Sequence, residues 1–243
     1  MGHVEQLEAA IDRVARAVGM PAPDVRDLVR ACGWPDHPFD CGVSHGTPWG
    51  VSMAIGEREV RVFLAARDRV HADAITRSMG DWELPPGIRV WHAVAFTPSG
   101  RRDHVYACAD LGVPRPPALP TRARITMTSR DLPSGRKKVY ALIPDCTIAE
   151  LAAIDREGAE FARALIGDRT IWWLVCFHDN GAIATHFFVP RHLDEPALRT
   201  RLRAFLVERG LDPAPWETLP DAHHYVTYQR RDGKPRVTAY FLP

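Results

Sequence analysis

Lysine is almost missing from this chain. Of 31 lysines and arginines only Lys137, Lys138 and Lys234 are lysines, so arginine carries nearly all of the positive charge. Against 30 acidic residues this leaves a net charge of +1, which gives no general support to nucleic acid or a membrane surface as partner. Any electropositive region must be local. Long hydrophobic runs are lacking too: no stretch approaches the ~20 apolar residues needed to span a bilayer. Met1–Ala10 has neither the basic start nor the apolar core of a secretory signal. The five cysteines (Cys32, Cys41, Cys108, Cys146 and Cys176) are odd in number and scattered, which argues against a disulfide framework. Together these features predict a protein of the reducing cytoplasm. No Gly-rich phosphate loop, nucleophile elbow or His-Glu-x-x-His motif occurs, so kinase, esterase and zincin chemistry lack support.

Cys32, His37, Cys41 and His45 do supply zinc-ligand types. Their spacing, C-x4-H-x3-C-x3-H, matches no common finger or knuckle, and the bland reading is a loop that contains Cys and His. No metal is expected there.

What the chain has in abundance is hairpins. Five times, two apolar-rich stretches of strand length flank a short polar turn: Trp49–Ile55 with Glu59–Ala66, Ile88–Phe96 with His104–Asp110, Ala123–Ser129 with Lys137–Leu142, Thr170–Phe177 with Ala182–Val189, and His223–Gln229 with Arg236–Phe241. Helical periodicity marks Val4–Val18, a segment from Pro23 to Cys32, Arg69–Met79, Thr147–Ile166 and Leu198–Arg209. Thr147 with Glu150 three residues on, and Gly167 at the end, are cap signals for the fourth of these. The Pro-rich stretch Leu111–Pro120 is not helical. No linker divides the chain, so residues 1–243 read as one domain.

Side chains at i, i+2 and i+4 of a strand share a face. In the second strands of the hairpins one face is apolar (Val60, Val62, Leu64; Val105, Ala107; Val139, Ala141; Val237, Ala239). The other carries Arg61, His104, Tyr106, Lys138, Tyr140, Arg236, Thr238 and Tyr240. Ten antiparallel strands in sequential hairpins favour closure, which removes exposed edges. The predicted fold is α+β: a ten-stranded antiparallel barrel of repeated αββα units, ringed by helices, with a polar, solvent-accessible lumen wide enough for a ligand.

With these residues in place the chain resembles the soluble aromatic prenyltransferases of the αββα (ABBA, PT-barrel) family, in particular the bacterial phenol- and naphthol-modifying branch. The likeness rests on Ser52-Met53-Ala54-Ile55-Gly56, on Met127-Thr128-Ser129-Arg130-Asp131 followed by Lys138-Val139-Tyr140, and on Arg236-Val237-Thr238-Ala239-Tyr240-Phe241. It runs end to end, though this chain is short for the family and its motifs are divergent. The resemblance implies transfer of a dimethylallyl or geranyl group from its diphosphate to an aromatic small molecule or a peptide's aromatic side chain, in secondary metabolism. It implies a diphosphate site at Ser52, Arg61, Lys138 and Arg236, and a lumen or carbocation shield formed by Tyr106, Tyr140, Tyr240, Thr126, Thr128, Thr185 and Thr238. Arg61 stands where the magnesium-using branch has an aspartate, which implies that neither magnesium nor another cofactor is required. His104 stands where a lysine is usual, and Thr185 or His186 where an arginine is often found.

The chemistry suits those residue types. Arginine and lysine hold phosphate oxygens through charge-assisted hydrogen bonds, and tyrosine faces attract a carbocation while excluding water. The base that takes the arene proton is expected at His104 or Asp110, both in phase with the lumen. Two other readings stay open: a barrel enzyme acting as cyclase or isomerase on an aromatic intermediate, and a non-catalytic barrel for an anionic aromatic ligand. The all-helical prenyl synthases are disfavoured, because no Asp-rich DDxxD-type cluster occurs. The protein is expected to act as monomer or homodimer, without nucleic acid or membrane.

Overall fold

The computed structural model describes residues 3–33, 49–55, 58–66, 68–77, 84–85, 87–112, 114–132, 134–179, 181, 183–188, 195–217, 225–231 and 233–241. Ten strands appear, as the hairpin pattern predicts: β1 (Trp49–Ile55), β2 (Glu59–Ala65), β3 (Val90–Thr97), β4 (Gly100–Ala107), β5 (Arg124–Asp131), β6 (Lys137–Cys146), β7 (Ile171–His178), β8 (Ile183–Phe188), β9 (Tyr225–Arg231) and β10 (Lys234–Phe241). Each pairs antiparallel with its neighbours in sequence, and β10 returns to β1 through pairs such as Ser52 with Tyr240. The sheet is a closed barrel with no free edge. The tight turns of the five hairpins therefore lie at one end, and the longer helix-bearing connections at the other. At the hairpin end Gly181 and Gly233 adopt φ of 79° and 77°, a left-handed conformation that costs a residue with a Cβ far more.

Helices wrap the outside: α1 (His3–Ala17), α2 (Arg26–Ala31), α3 (Arg69–Arg77), α4 (Ile148–Ile154), α5 (Arg156–Ile166), α6 (Glu195–Glu208) and the short α7 (Ala214–Glu217). Thr147 caps α4 in a reciprocal box with Glu150, as its sequence implies. The single helix expected over 147–166 is instead two. Asp155 takes an extended conformation (φ −143°, ψ 94°) and its side chain accepts from the N–H of Gly158, so it ends α4 and caps α5.

The core lies between the barrel wall and the helices. Val60, Val62, Leu64, Val105, Ala141, Val226 and Val237 point outward and are buried there, with Leu7, Ile11 and Val14 of α1 and Phe161 of α5. Phe161 packs against Phe205 of α6 and Tyr228 of β9 at centroid distances of 4.9 and 5.2 Å. Each fully buried Val, Leu, Ile or Phe side chain of this kind contributes roughly 1.5–3 kcal/mol. Because the wall spends its apolar face on the helices, its other face is left to line the lumen.

Candidate functional site

The strand registers define the lumen face. Arg61 stands opposite Ser52 and Ala95, and Ala95 opposite Arg102. Ser129 stands opposite both Tyr106 and Lys138, and Lys138 opposite His178. Gln229 stands opposite Ala184 and Arg236. This face encloses a cavity of about 390 Å³, bounded by Arg61, Arg102, His104, Asp131, Arg136, Lys138, Tyr140, Cys176, His178, Ala184, Thr227, Gln229, Arg230, Arg236, Thr238 and Tyr240. Exposed Arg136 and Arg230 sit beside the β5–β6 and β9–β10 turns, so the cavity opens at the hairpin end.

Beneath the charged layer lies an aromatic one. The Phe63 ring is 5.8 Å from that of Tyr106 and 5.8 Å from that of Tyr240, and Tyr106 is 6.0 Å from Tyr140. Ala93, Tyr106, Tyr140, Cys176 and Ala184 form a buried apolar cluster inside the barrel, separate from the outer core, with Trp91, Met127 and Leu174 packed against it. A ligand on the charged layer thus rests on tyrosine and phenylalanine faces.

Glu59 is the residue the alternation pattern should have named. It is two positions before Arg61 and so on the same face, and only 2 % of it is exposed. Its Oε1 accepts from Arg236 Nη2 at 2.5 Å and from Arg61 Nη2 at 3.0 Å, and its Oε2 accepts from Arg102 Nη2 at 3.1 Å. Burial alone would raise its pKa, but Arg61, Arg236 and Arg102 outweigh that and hold it at about 2. The same pairing raises Arg61 against the opposing effect of burial. Arg102, Asp131, Cys176, His178, Thr227 and Gln229 line the cavity beyond the residues the sequence predicts; each follows from the two-residue period once strand limits are known.

The other titrating groups respond to this crowd of cations. Burial, then Arg61, lowers Lys138 to about 8. Burial, then Arg61 and Lys138, lowers His104 to about 2, so its imidazole is neutral at physiological pH. Burial, then Lys138, lowers His178 to about 4. Burial raises Tyr240 to about 12 and Cys176 to about 11, and pushes Tyr106 and Tyr140 up as well. The tyrosines are neutral phenols and the thiol is not a thiolate.

The structure brings together Ser52, Arg61, His104, Tyr106, Lys138, Tyr140, Arg236, Thr238 and Tyr240 on the lumen face. Four expected residues are not there. Asp110 lies beyond the end of β4 at Ala107, is exposed, and accepts the N–H of Gly112. Thr126 sits at a bulge between Ile125 and Met127 and donates to the Tyr140 carbonyl; Thr128 stands opposite Val139 and donates to the Ala109 carbonyl. Met127 and Ser129 hold the lumen positions of β5 instead, because one extra residue inverts a strand's faces. Thr185 stands opposite Val175 and Tyr228, both outer-core residues, so its register position is on the outer face; His186, opposite Leu174 and Thr227, is in step with the lumen.

Among the described residues no cluster of His, Cys, Asp and Glu could hold a metal ion. Of the four-residue Cys and His group, His37, Cys41 and His45 lie outside the described residues, while Cys32 is buried with Sγ 3.7 Å from the Leu64 carbonyl. What the lumen can hold is an anion. Arg61, Arg102, Lys138 and Arg236 line it against Asp131, and the buried Nε of Arg61 and Nε2 of His104 have no hydrogen-bond partner among the described residues.

No protein-family model and no curated protein matches this sequence. Solved structures do. A protein named 6-dimethylallyl tryptophan synthase superposes with a TM-score of 0.75 at 18 % identity, over 99 % of this chain and 96 % of its own. NotF prenyltransferase gives 0.65 at 10 % identity, covering 95 % and 91 %. AnaPT from Neosartorya fischeri gives 0.63 at 12 % identity, covering 89 % and 84 %. At these identities the likeness speaks to architecture: the chain has the αββα PT-barrel fold of the soluble aromatic prenyltransferases.

Proposed function

We propose that this barrel transfers a prenyl group from an allylic diphosphate to an aromatic acceptor. One observation carries the reading. A layer of cations, Arg61, Arg102, Lys138 and Arg236, faces a cavity floored by tyrosines, with unpartnered nitrogens of Arg61 and His104 buried beside it. The cations hold the diphosphate oxygens and stabilise the leaving group as its charge develops. The C1–O bond breaks with its electron pair going to the diphosphate. The allylic cation left behind lies over the faces of Tyr106, Tyr140 and Tyr240, each worth on the order of 0.5–2 kcal/mol. An arene carbon attacks C1, and the proton it releases passes to His104 Nε2.

His104 suits that step because it is neutral in the empty site. Burial, and then the arginine and lysine charges, depress its proton affinity, and a departing diphosphate beside it offsets the second of these. Positive charge comes from side chains, so we expect activity without magnesium. A cavity of about 390 Å³ is near the lower end of ligand sites, roughly 300–1,000 Å³, which favours the five-carbon donor and a compact acceptor.

The test is calorimetric titration in EDTA with a thiolo-diphosphate analogue of dimethylallyl diphosphate, followed by turnover with phenols and indoles. Micromolar binding that weakens at least tenfold in Lys138→Ala and Arg236→Ala supports the donor site, and prenylated product supports the transfer. No binding with or without magnesium would remove the donor site. Binding with no turnover on any arene would leave a non-catalytic barrel.

A further inference from the structure

Three guanidinium groups crowd one corner of the lumen, and two of them are nearly inaccessible: the side chains of Arg236 and Arg61 are 6 % and 13 % exposed. Like charges at that density in a poorly solvated site repel strongly. Glu59 is what permits the cluster to exist in the empty barrel, since its two oxygens take one contact from each of Arg61, Arg102 and Arg236. Those same three arginines line the cavity. Their charge is therefore already partly used before any substrate arrives.

We propose that Glu59 is an internal counter-ion that competes with the substrate's phosphate groups for this arginine cluster, and so sets how many negative charges a ligand must bring. The inference rests on the reading of the cavity as a diphosphate site. An incoming anion must outweigh one carboxylate already bound to three donors. A diphosphate, with several charges spread over two phosphoryl groups, can engage Lys138 and the buried Nε–H of Arg61 while drawing the arginines toward it. A monophosphate offers fewer charges and shorter reach, and gains little over Glu59. The carboxylate thus acts as a selectivity filter for diphosphate esters, and it gives the empty protein a stable cluster to fold around.

Glu59→Gln separates these roles. The amide keeps an oxygen that can accept from an arginine, so part of the geometry survives while the negative charge is lost. Two effects then oppose each other: some pre-organisation of the arginines is lost, and repulsion between Glu59 and the ligand disappears. The charge effect should win, because the arginines are also fixed by the strands and rings around them, whereas a unit charge this close acts at nearly full strength in a buried site.

The experiment measures thermal midpoints and calorimetric affinities of wild type and Glu59→Gln with inorganic diphosphate and inorganic phosphate. The expected result is a lower midpoint for the ligand-free variant, a larger diphosphate-induced rise, and diphosphate bound roughly tenfold more tightly. Phosphate, which scarcely binds the wild type, should bind the variant measurably. A folded variant that binds diphosphate no better than wild type, or still ignores phosphate, would overturn the proposal while leaving the diphosphate site intact. Absence of diphosphate binding in both folded proteins would overturn the diphosphate site itself. If Glu59→Gln is insoluble, refolding yield with and without diphosphate decides: rescue supports the counter-ion role and no rescue refutes it.

Discussion

At the scale of single residues, Lys138 shows how one cation can be tuned by its neighbours. It faces the lumen on β6, and burial followed by the nearby Arg61 charge lowers its pKa from 10.5 to about 8. Below about 8 the empty site already holds a charged ammonium. Above that pH the site must take up a proton to present it, so affinity for an anionic donor falls as pH rises through and beyond this value. We predict such a fall in calorimetric titrations with the dimethylallyl thiolo-diphosphate. In Lys138→Met the decline should vanish and affinity below pH ~8 should drop roughly 10- to 100-fold, the worth of a charged hydrogen bond of about 1.5–3 kcal/mol. A wild-type profile flat across this range would contradict the assignment. Residues of this kind were legible because a cation and a tyrosine two apart on a strand share a face: Lys138 with Tyr140, His104 with Tyr106. Glu59 obeys the same rule with Arg61, but a lone carboxylate beside a turn has the sequence signature of an exposed strand end. Its partnership with Arg102 and Arg236 joins positions 43 and 177 residues away, which no local pattern displays.

Elements were read better than their faces. The hairpins came from turn chemistry and alternation, and β1 has the limits its sequence implies. Two local events escaped. Asp155 divides a helix whose apolar periodicity runs through the break, because a capping aspartate also resembles an ordinary exposed helical residue. In β5 a bulge after Ile125 shifts the phase by one residue, with no glycine to announce it. The register makes a sharp prediction about that strand. Thr128 faces outward and donates at 3.0 Å to the Ala109 carbonyl, so Thr128→Ala should cost about 1 kcal/mol in denaturant unfolding and leave donor affinity unchanged. Ser129, opposite Tyr106 and Lys138 and hydrogen-bonded to Tyr140, should show the converse: Ser129→Leu fills the lumen floor and weakens donor binding at least tenfold. Reversal of the two phenotypes would mean that β5 presents its other face to the lumen.

On the scale of the whole molecule, the barrel concentrates its charges near the hairpin turns. Arg102, Asp131, Lys138, His178 and Arg236 lie close to the turn of their own hairpin, whereas Phe63, Trp91, Tyr106 and Leu174 lie nearer the helical connections. Strand order made this layering possible to anticipate; the stagger between strands, which decides what meets at one level, is fixed only on closure. The charged layer also ties global stability to one carboxyl. Glu59 has a pKa of about 2 in the folded protein against 4.5 when unperturbed, because the arginine charges outweigh its burial. A carboxyl with a depressed folded pKa contributes stability that is complete above its unfolded value and is lost as pH falls toward the folded one. The window is therefore from about 4.5 down to about 2, and 2.5 units correspond to about 3 kcal/mol. Chemical denaturation at pH values on either side of this window should show that loss in the wild type. Glu59→Gln, which has no proton to gain there, should start less stable above the window and decline about 3 kcal/mol less across it. Equal acid sensitivity of the two proteins would mean that the arginine cluster is not what holds this carboxylate ionised.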